Sequence, residues 1–238
     1  MILFVDIEAY GESLPRPLAR MWAEHTLRAA WRIEDVADTH VLVVRHDRFD
    51  PDMPARLGAR AVVFGGHMSE VSRYAPGALD GARAFARHPD RPLLGVCGGH
   101  QLIAEAHGGR AGPMCPQADP ERDLPCVASA DLARLRHETP QGRFGYLSVE
   151  RTGDHPYLAG LSARPRFLHM HRWHVAEMPE GFDVIGRSRD GTVQAMVHRA
   201  LPITGTQFHP EGYTDAHPDG AALLRRVLAE GGAIHAVA

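Results

Sequence analysis

The stretch Leu93-Leu94-Gly95-Val96-Cys97-Gly98-Gly99-His100-Gln101 constrains this chain more than any other. An apolar run passes through a cysteine among glycines and enters a segment of helical character. A strand-to-helix turn this short forces unusual backbone angles and close packing, which residues without a Cβ permit. It also sets the apical side chain at the N-terminus of the next helix, where free N–H groups and the helix dipole favour an anion. Cysteine attacks as its thiolate, so Cys97 is a candidate nucleophile on an elbow like the G-x-S-x-G turn of serine hydrolases. The bland alternative is a core cysteine beside a turn, and three neighbouring glycines weigh against it.

The rest of the chain supplies a fold in which such an elbow makes sense. Apolar runs of strand length alternate with helical patterns, which implies an α/β fold with three layers and a mainly parallel central sheet, flavodoxin-like. Strands are expected at Ile2–Val5, Val41–Val44, Ala61–Phe64 and Pro92–Val96, with helices at Leu18–Ile33, Pro76–Arg87 and Gly98–Ala106. Gly108-Gly109 is expected to stop the last of these. The second half reads as short strands at Phe144–Val149, Arg166–Met170, Asp183–Ser188, Thr192–Val197 and Ile203–Phe208. Asp190-Gly191 marks a hairpin turn. A closing helix is expected over Pro218–Glu230, with Leu223, Leu224, Val227 and Leu228 facing inward. The 238 residues read as one domain, 1–238, in which Pro113–Gln141, mixing Cys, Pro, Asp and Arg, is an insertion. A surface excursion is its plain reading, and a lid or partner-docking loop its functional one.

Composition excludes several classes. The net charge is −3, and the basic residues, all arginine, are scattered rather than clustered, so no nucleic-acid partner is expected. No apolar run reaches membrane-spanning length, about 20 residues, so no membrane association is expected. Met1-Ile2-Leu3-Phe4-Val5-Asp6 reads as a first strand rather than an export signal. Three cysteines, Cys97, Cys115 and Cys126, suit reduced thiols in a cytoplasmic protein.

Far from the elbow stands Gln207-Phe208-His209-Pro210-Glu211. Proline biases the preceding residue toward extended conformation, and in extended chain residues i and i+2 share a side. Glu211 is therefore expected to hold the His209 ring and fix its tautomer, leaving the other nitrogen for Cys97. Nucleophile, base and orienter make a triad.

With both segments in view the chain resembles the class I (triad) glutamine amidotransferases along nearly its whole length, somewhat nearer the glutaminase part of GMP synthetases. Gly65-Gly66 after a strand looks like the family's oxyanion strand. Gly95-Val96-Cys97-Gly98-Gly99-His100-Gln101-Leu102 matches its nucleophile motif, and Gly205-Thr206-Gln207-Phe208-His209-Pro210-Glu211 its closing motif. Val175–Ser188, with Met178-Pro179-Glu180-Gly181-Phe182, is similar to the segment before the last strands. The resemblance implies hydrolysis of glutamine at Cys97, with His209 and Glu211 completing the triad. It implies oxyanion amides at Gly66 and Gly98, and substrate-binding roles for Gln101 and His171. It implies no cofactor and no metal, and a separate synthetase that accepts the ammonia, since only 27 residues follow Glu211. A stand-alone γ-glutamyl hydrolase and a non-catalytic regulatory homologue are the alternatives. Two positions depart from the family pattern: His67 stands where proline often follows the paired glycines, and Gly98 where a bulky apolar residue usually follows the cysteine.

Two further segments draw notice. His169-Met170-His171-Arg172-Trp173-His174 is rich in metal-ligand types, yet lacks a nearby cysteine or carboxylate, and reads better as a pocket wall or partner-facing edge. Asp6-Ile7-Glu8-Ala9-Tyr10-Gly11-Glu12 follows the first strand, at the end where α/β sheets place their sites, and reads most simply as an acidic surface loop.

Overall fold

A computed structural model describes residues 1–10, 14–69, 71–114 and 142–230. Cys115, Cys126, Gly11, Glu12 and nearly all of the 113–141 segment lie outside the described residues. The strands in chain order are β1 (Ile2–Asp6), β2 (Val41–Arg45), β3 (Ala61–Phe64), β4 (Leu93–Val96), β5 (Arg110–Pro113), β6 (Arg143–Ser148), β7 (Glu150–Arg151), β8 (Arg166–His171), β9 (Trp173–Glu177), β10 (Phe182–Arg187), β11 (Val193–His198) and β12 (Ile203–Thr206). The helices are α1 (Arg16–Ala37), α2 (Met53–Arg56), α3 (Asp80–Arg87), α4 (Gly98–Ala106) and α5 (Asp219–Arg225).

Eight strands form one sheet in the order β2-β1-β3-β4-β12-β11-β10-β7. The first five are parallel, and β11, β10 and β7 extend the sheet antiparallel. The parallel part has the 2-1-3-4-5 order of doubly wound flavodoxin-like folds. The inner strands β1, β3, β4 and β12 are buried along their whole length because both faces are covered. Ile2 and Phe4 face a core shared with Ala29 and Ile33 of α1 and Leu223 and Leu224 of α5. Leu3 and Val5 face the opposite core, with Phe85 of α3 and Leu102 and Ile103 of α4. The result is the expected three layers. Two smaller ladders, β5–β9 and β6–β8, are separate from the main sheet. Among the described residues no helix is long and apolar enough to cross a membrane.

Several boundaries differ from expectation for physical reasons. The helix expected from Pro76 begins only at Asp80, because Gly77 takes φ +77° and residues 75–80 close successive turns instead. The strand expected to reach Phe208 ends at Thr206, where the chain turns toward the site. Pro113, where the expected insertion starts, belongs to β5. The expected hairpin turn is present: Gly191 has φ +85° and its N–H donates to Ser188 O at 2.8 Å. Leu223, Leu224, Val227 and Leu228 are all buried as expected.

Helix α4 sits directly on the sheet because its first turn is glycine. A Cβ on Gly99 would run into the Phe64 carbonyl oxygen and lie 2.7 Å from Phe64 Cβ; one on Gly95 would lie 2.7 Å from the Gly99 carbonyl. Gly99→Ala is therefore expected to cost about 1–3 kcal/mol through overpacking. For a chain of this length that lowers the midpoint of thermal unfolding by roughly 3–10 °C, readable by circular dichroism. An unchanged midpoint would show that the helix has room to lift.

Candidate active site

Cys97 occupies the apex between β4 and α4 with φ +52° and ψ −103°, one of two non-glycine residues with positive φ among the described residues. Such a conformation costs on the order of 1–3 kcal/mol and persists only where its surroundings over-determine it. Here they do. The Cys97 N–H donates to Thr206 O at 2.8 Å, Cys97 O accepts from Gln101 N–H at 3.2 Å, and the Gly99 N–H donates to Gly65 O at 2.9 Å. The last bond ties the elbow to the loop after β3. Gly66 of that loop touches both halves of the site: a Cβ there would lie 3.3 Å from Cys97 Cβ and 3.3 Å from His209 Cε1. Among the described residues the N–H groups of Gly66 and Gly98 donate to no protein group, so both are open to receive an oxyanion.

The strand β12, hydrogen-bonded to β4, delivers His209 to the same place. His209 Nδ1 lies 2.7 Å from Glu211 Oε1, and its Nε2 is buried without a hydrogen-bond partner of good geometry among the described residues. The route to this pairing differs from the extended i, i+2 arrangement expected. Pro210–Gly212 forms a tight turn, closed by the Gly212 N–H on His209 O at 3.0 Å, which brings Glu211 back to the ring. Burial by itself would push the His209 pKa down. The Glu211 charge and its hydrogen bond, with Cys97 close by, instead raise it to about 10. Burial likewise opposes ionisation of Glu211, and the His209 charge and hydrogen bond, with His25 nearby, overcome it, holding the carboxyl at about 2.

Gln101 and His171 line the same cavity as Cys97, about 640 Å³ among the described residues. Gln101 Nε2 donates to Gln207 Oε1 at 3.1 Å, and Gln207 Nε2 lies 3.7 Å from Cys97 Sγ. His171 Nδ1 lies 3.0 Å from Trp173 O and its Nε2 3.3 Å from His169 Nδ1, so both ring nitrogens are engaged. Burial, reinforced by the Arg143 charge, lowers the His171 pKa to about 3 and keeps the ring neutral. Among the described residues His169, His171 and His174 make no convergent ligand set, and of the three His171 lines the cavity. Among the described residues the set close enough to share an ion is His25, His209 and Glu211, and two of these already bond to each other.

Three contributors carry no assignment from the sequence. His25, on α1, sets Nε2 3.7 Å from Glu211 Oε1 and stacks edge-on to His209 at 5.4 Å; no motif marks it. Gln207 lies within the closing motif, but its link to Gln101 is visible only in three dimensions. Glu8 corrects the reading of residues 6–12 as a surface loop. It is fully buried and accepts from the Met68 N–H at 2.6 Å and the Ser69 N–H at 3.2 Å, holding the loop that carries Gly66.

The His209–Glu211 pair has a defined pH window. The raised His209 pKa adds stability that is full below 6.5 and is lost as pH rises through about 10. The lowered Glu211 pKa adds stability that is full above 4.5 and is lost as pH falls through about 2. Glu211→Gln should therefore lower the thermal midpoint most between roughly pH 4.5 and 6.5, with the gap from wild type closing toward either extreme. A gap independent of pH, in a series of melts, would show that the pair carries no charge.

The profile of the class-I glutamine amidotransferase family matches residues 35–230. One subunit of the glutamine-hydrolysing GMP synthase from Thermococcus kodakarensis is 33% identical over 150 residues, 62% of this chain and 65% of that protein. An aminodeoxychorismate synthase from Streptomyces griseus is 33% identical over 128 residues, 53% of this chain and 14% of that protein. The match thus spans only part of each relative's length. In three dimensions the chain is similar to a Thermoplasma acidophilum crystal structure provisionally named as one subunit of a GMP synthase. The TM-score is 0.68 at 18% identity, covering 100% of this chain and 97% of that one. The family match covers more than half of the chain and includes the elbow and the His209 turn: this protein belongs to the class-I glutamine amidotransferase family.

Proposed function

We propose that this chain hydrolyses glutamine to glutamate and ammonia through a thioester on Cys97, and that a separate synthetase accepts the ammonia. The observation that carries the proposal is the convergence of Cys97, on a strained elbow, with a hydrogen-bonded His209–Glu211 pair and two open amides, Gly66 and Gly98. The Cys97 thiolate attacks the side-chain carbonyl carbon, forming a C–S bond, and the Gly66 and Gly98 N–H groups receive the negative oxygen. The C–N bond breaks as His209, protonated at neutral pH with its pKa near 10, gives its proton to the departing nitrogen. The neutral ring then takes a proton from water, whose oxygen attacks the thioester. Collapse releases glutamate and returns the thiolate and the protonated ring. Glu211 holds the ring in one orientation throughout, and Gln101 and His171 line the space for the substrate.

The relatives named as a GMP synthase component and an aminodeoxychorismate synthase support a partner that consumes ammonia. The profile running from residue 35 to 230 supports a single amidotransferase domain over residues 1–238, with an insertion after Pro113, up to residue 141, between β5 and β6. The need for a reduced Cys97 supports a cytoplasmic location.

The purified chain is expected to release glutamate from glutamine, alone or with its synthetase present, and Cys97→Ala to reduce that release by at least about 10³-fold. Near-normal turnover in the variant would end the assignment. Cleavage of larger γ-glutamyl amides in preference to glutamine would favour a stand-alone hydrolase instead.

A further inference from the structure

His67 and Gly98 compete for one volume. A Cβ built on Gly98 would overlap His67 Cδ2 and lie 2.7 Å from its Nε2. The ring is not free to swing away. Its Nδ1 lies 2.7 Å from Ser69 O, and it packs edge-on against Tyr74 at 5.8 Å. Tyr74 is itself held by its hydroxyl, which donates to Ile7 O at 2.6 Å. Beneath the same loop the buried Glu8 carboxylate accepts from Met68 and Ser69. Burial disfavours the charged ring, so the neutral tautomer donates Nδ1–H to Ser69 O. Both His67 and Gly98 line the cavity beside Cys97.

We propose that His67 is a positioning residue which supplies, from the neighbouring loop, the cavity wall that a side chain at position 98 would otherwise form. Glycine at 98 is then a steric requirement of the His67 ring and not only of the elbow. The ring, wedged between Gly98 and Ser69, keeps the Gly66 and Gly98 amides at a fixed separation. A side chain at 98 pushes the ring and, through Ser69 and Met68, the Gly66 amide away from Cys97. The proposal rests on the reading of Cys97 as the nucleophile and of the two amides as its oxyanion donors.

The test is a mutant cycle of wild type, Gly98→Ala, His67→Ala and the double variant. For each, kcat and KM for glutamine, the rate of Cys97 alkylation by iodoacetamide and the thermal midpoint are measured. Gly98→Ala is expected to lower kcat/KM by about tenfold or more, chiefly through kcat, since a displacement near 1 Å at a reacting centre costs up to about 10²-fold. The double variant is expected to recover to within about threefold of His67→Ala, because residues in contact are non-additive. Full activity in Gly98→Ala, or additive losses in the double variant, would overturn the proposal. Losses that track the thermal midpoint, with kcat falling no more than KM rises, would reduce His67 to a packing residue and overturn it too. If wild type does not turn over glutamine even with its synthetase present, the glutaminase reading fails, and alkylation decides the coupling separately. A rate altered in Gly98→Ala and restored in the double variant supports it, and a rate equal in all four proteins overturns it.

Discussion

A single residue is held where its backbone does not want to be, and much of the molecule is arranged to keep it there. The positive φ at Cys97 is maintained by three hydrogen bonds that belong to three different structures: the neighbouring strand β12, the first turn of α4, and the loop after β3. Each partner is also part of the site. β12 continues to His209, α4 begins with the Gly98 amide, and the loop contains Gly66. The strain and the alignment of the reactive groups are therefore the same fact. Relaxing the elbow would separate the thiol from both the amides and the imidazole. The glycines at 95 and 99 make the arrangement compact enough to exist, since side chains there would collide with α4 or β3.

Around this backbone constraint lies an electrostatic one. Two ionisable groups, His209 and Glu211, are nearly without solvent, and either alone would be driven neutral by burial. Paired at 2.7 Å they keep each other charged. His25 approaches the carboxylate from α1, so both layers of the fold that meet at the cavity contribute to holding Glu211. Neutral polar side chains are paired beside it. Gln101 pairs with Gln207 and His169 with His171, each through a side-chain contact.

What can be read from the sequence follows the range of the interactions concerned. Strands β1, β3 and β4 of the parallel sheet are visible because burial on both faces makes them nearly continuous apolar runs, and the elbow because three glycines and a cysteine are adjacent in the chain. The His209–Glu211 pairing is legible from a two-residue spacing, although a tight turn rather than extended chain achieves it. The β5–β9 ladder escapes notice because it is short and half exposed, without the apolar run that betrays an interior strand. Glu8 looks like a surface acid because its partners are backbone amides 60 residues away, and amides leave no mark in a sequence. His25 sits on a helix whose apolar spacing reports only the face turned to the core. The clash between position 98 and His67 joins residues that each look like an isolated peculiarity.

The antiparallel extension of the sheet has a consequence for where the molecule is vulnerable. Had the sheet ended with its parallel part, β12 would have been an edge, its unpaired amides and carbonyls open to solvent or to a strand from another chain. Instead β11 pairs with it along Ala195–Val197, and among the described residues the edges of this sheet are β2 and the two-residue β7. A very short terminal strand offers little template for intermolecular pairing. The five-residue β2, with Leu42 exposed, carries that hazard for the whole sheet. Strand pairing with another chain along the parallel edge of this sheet would thus start four strands away from the one that delivers the imidazole.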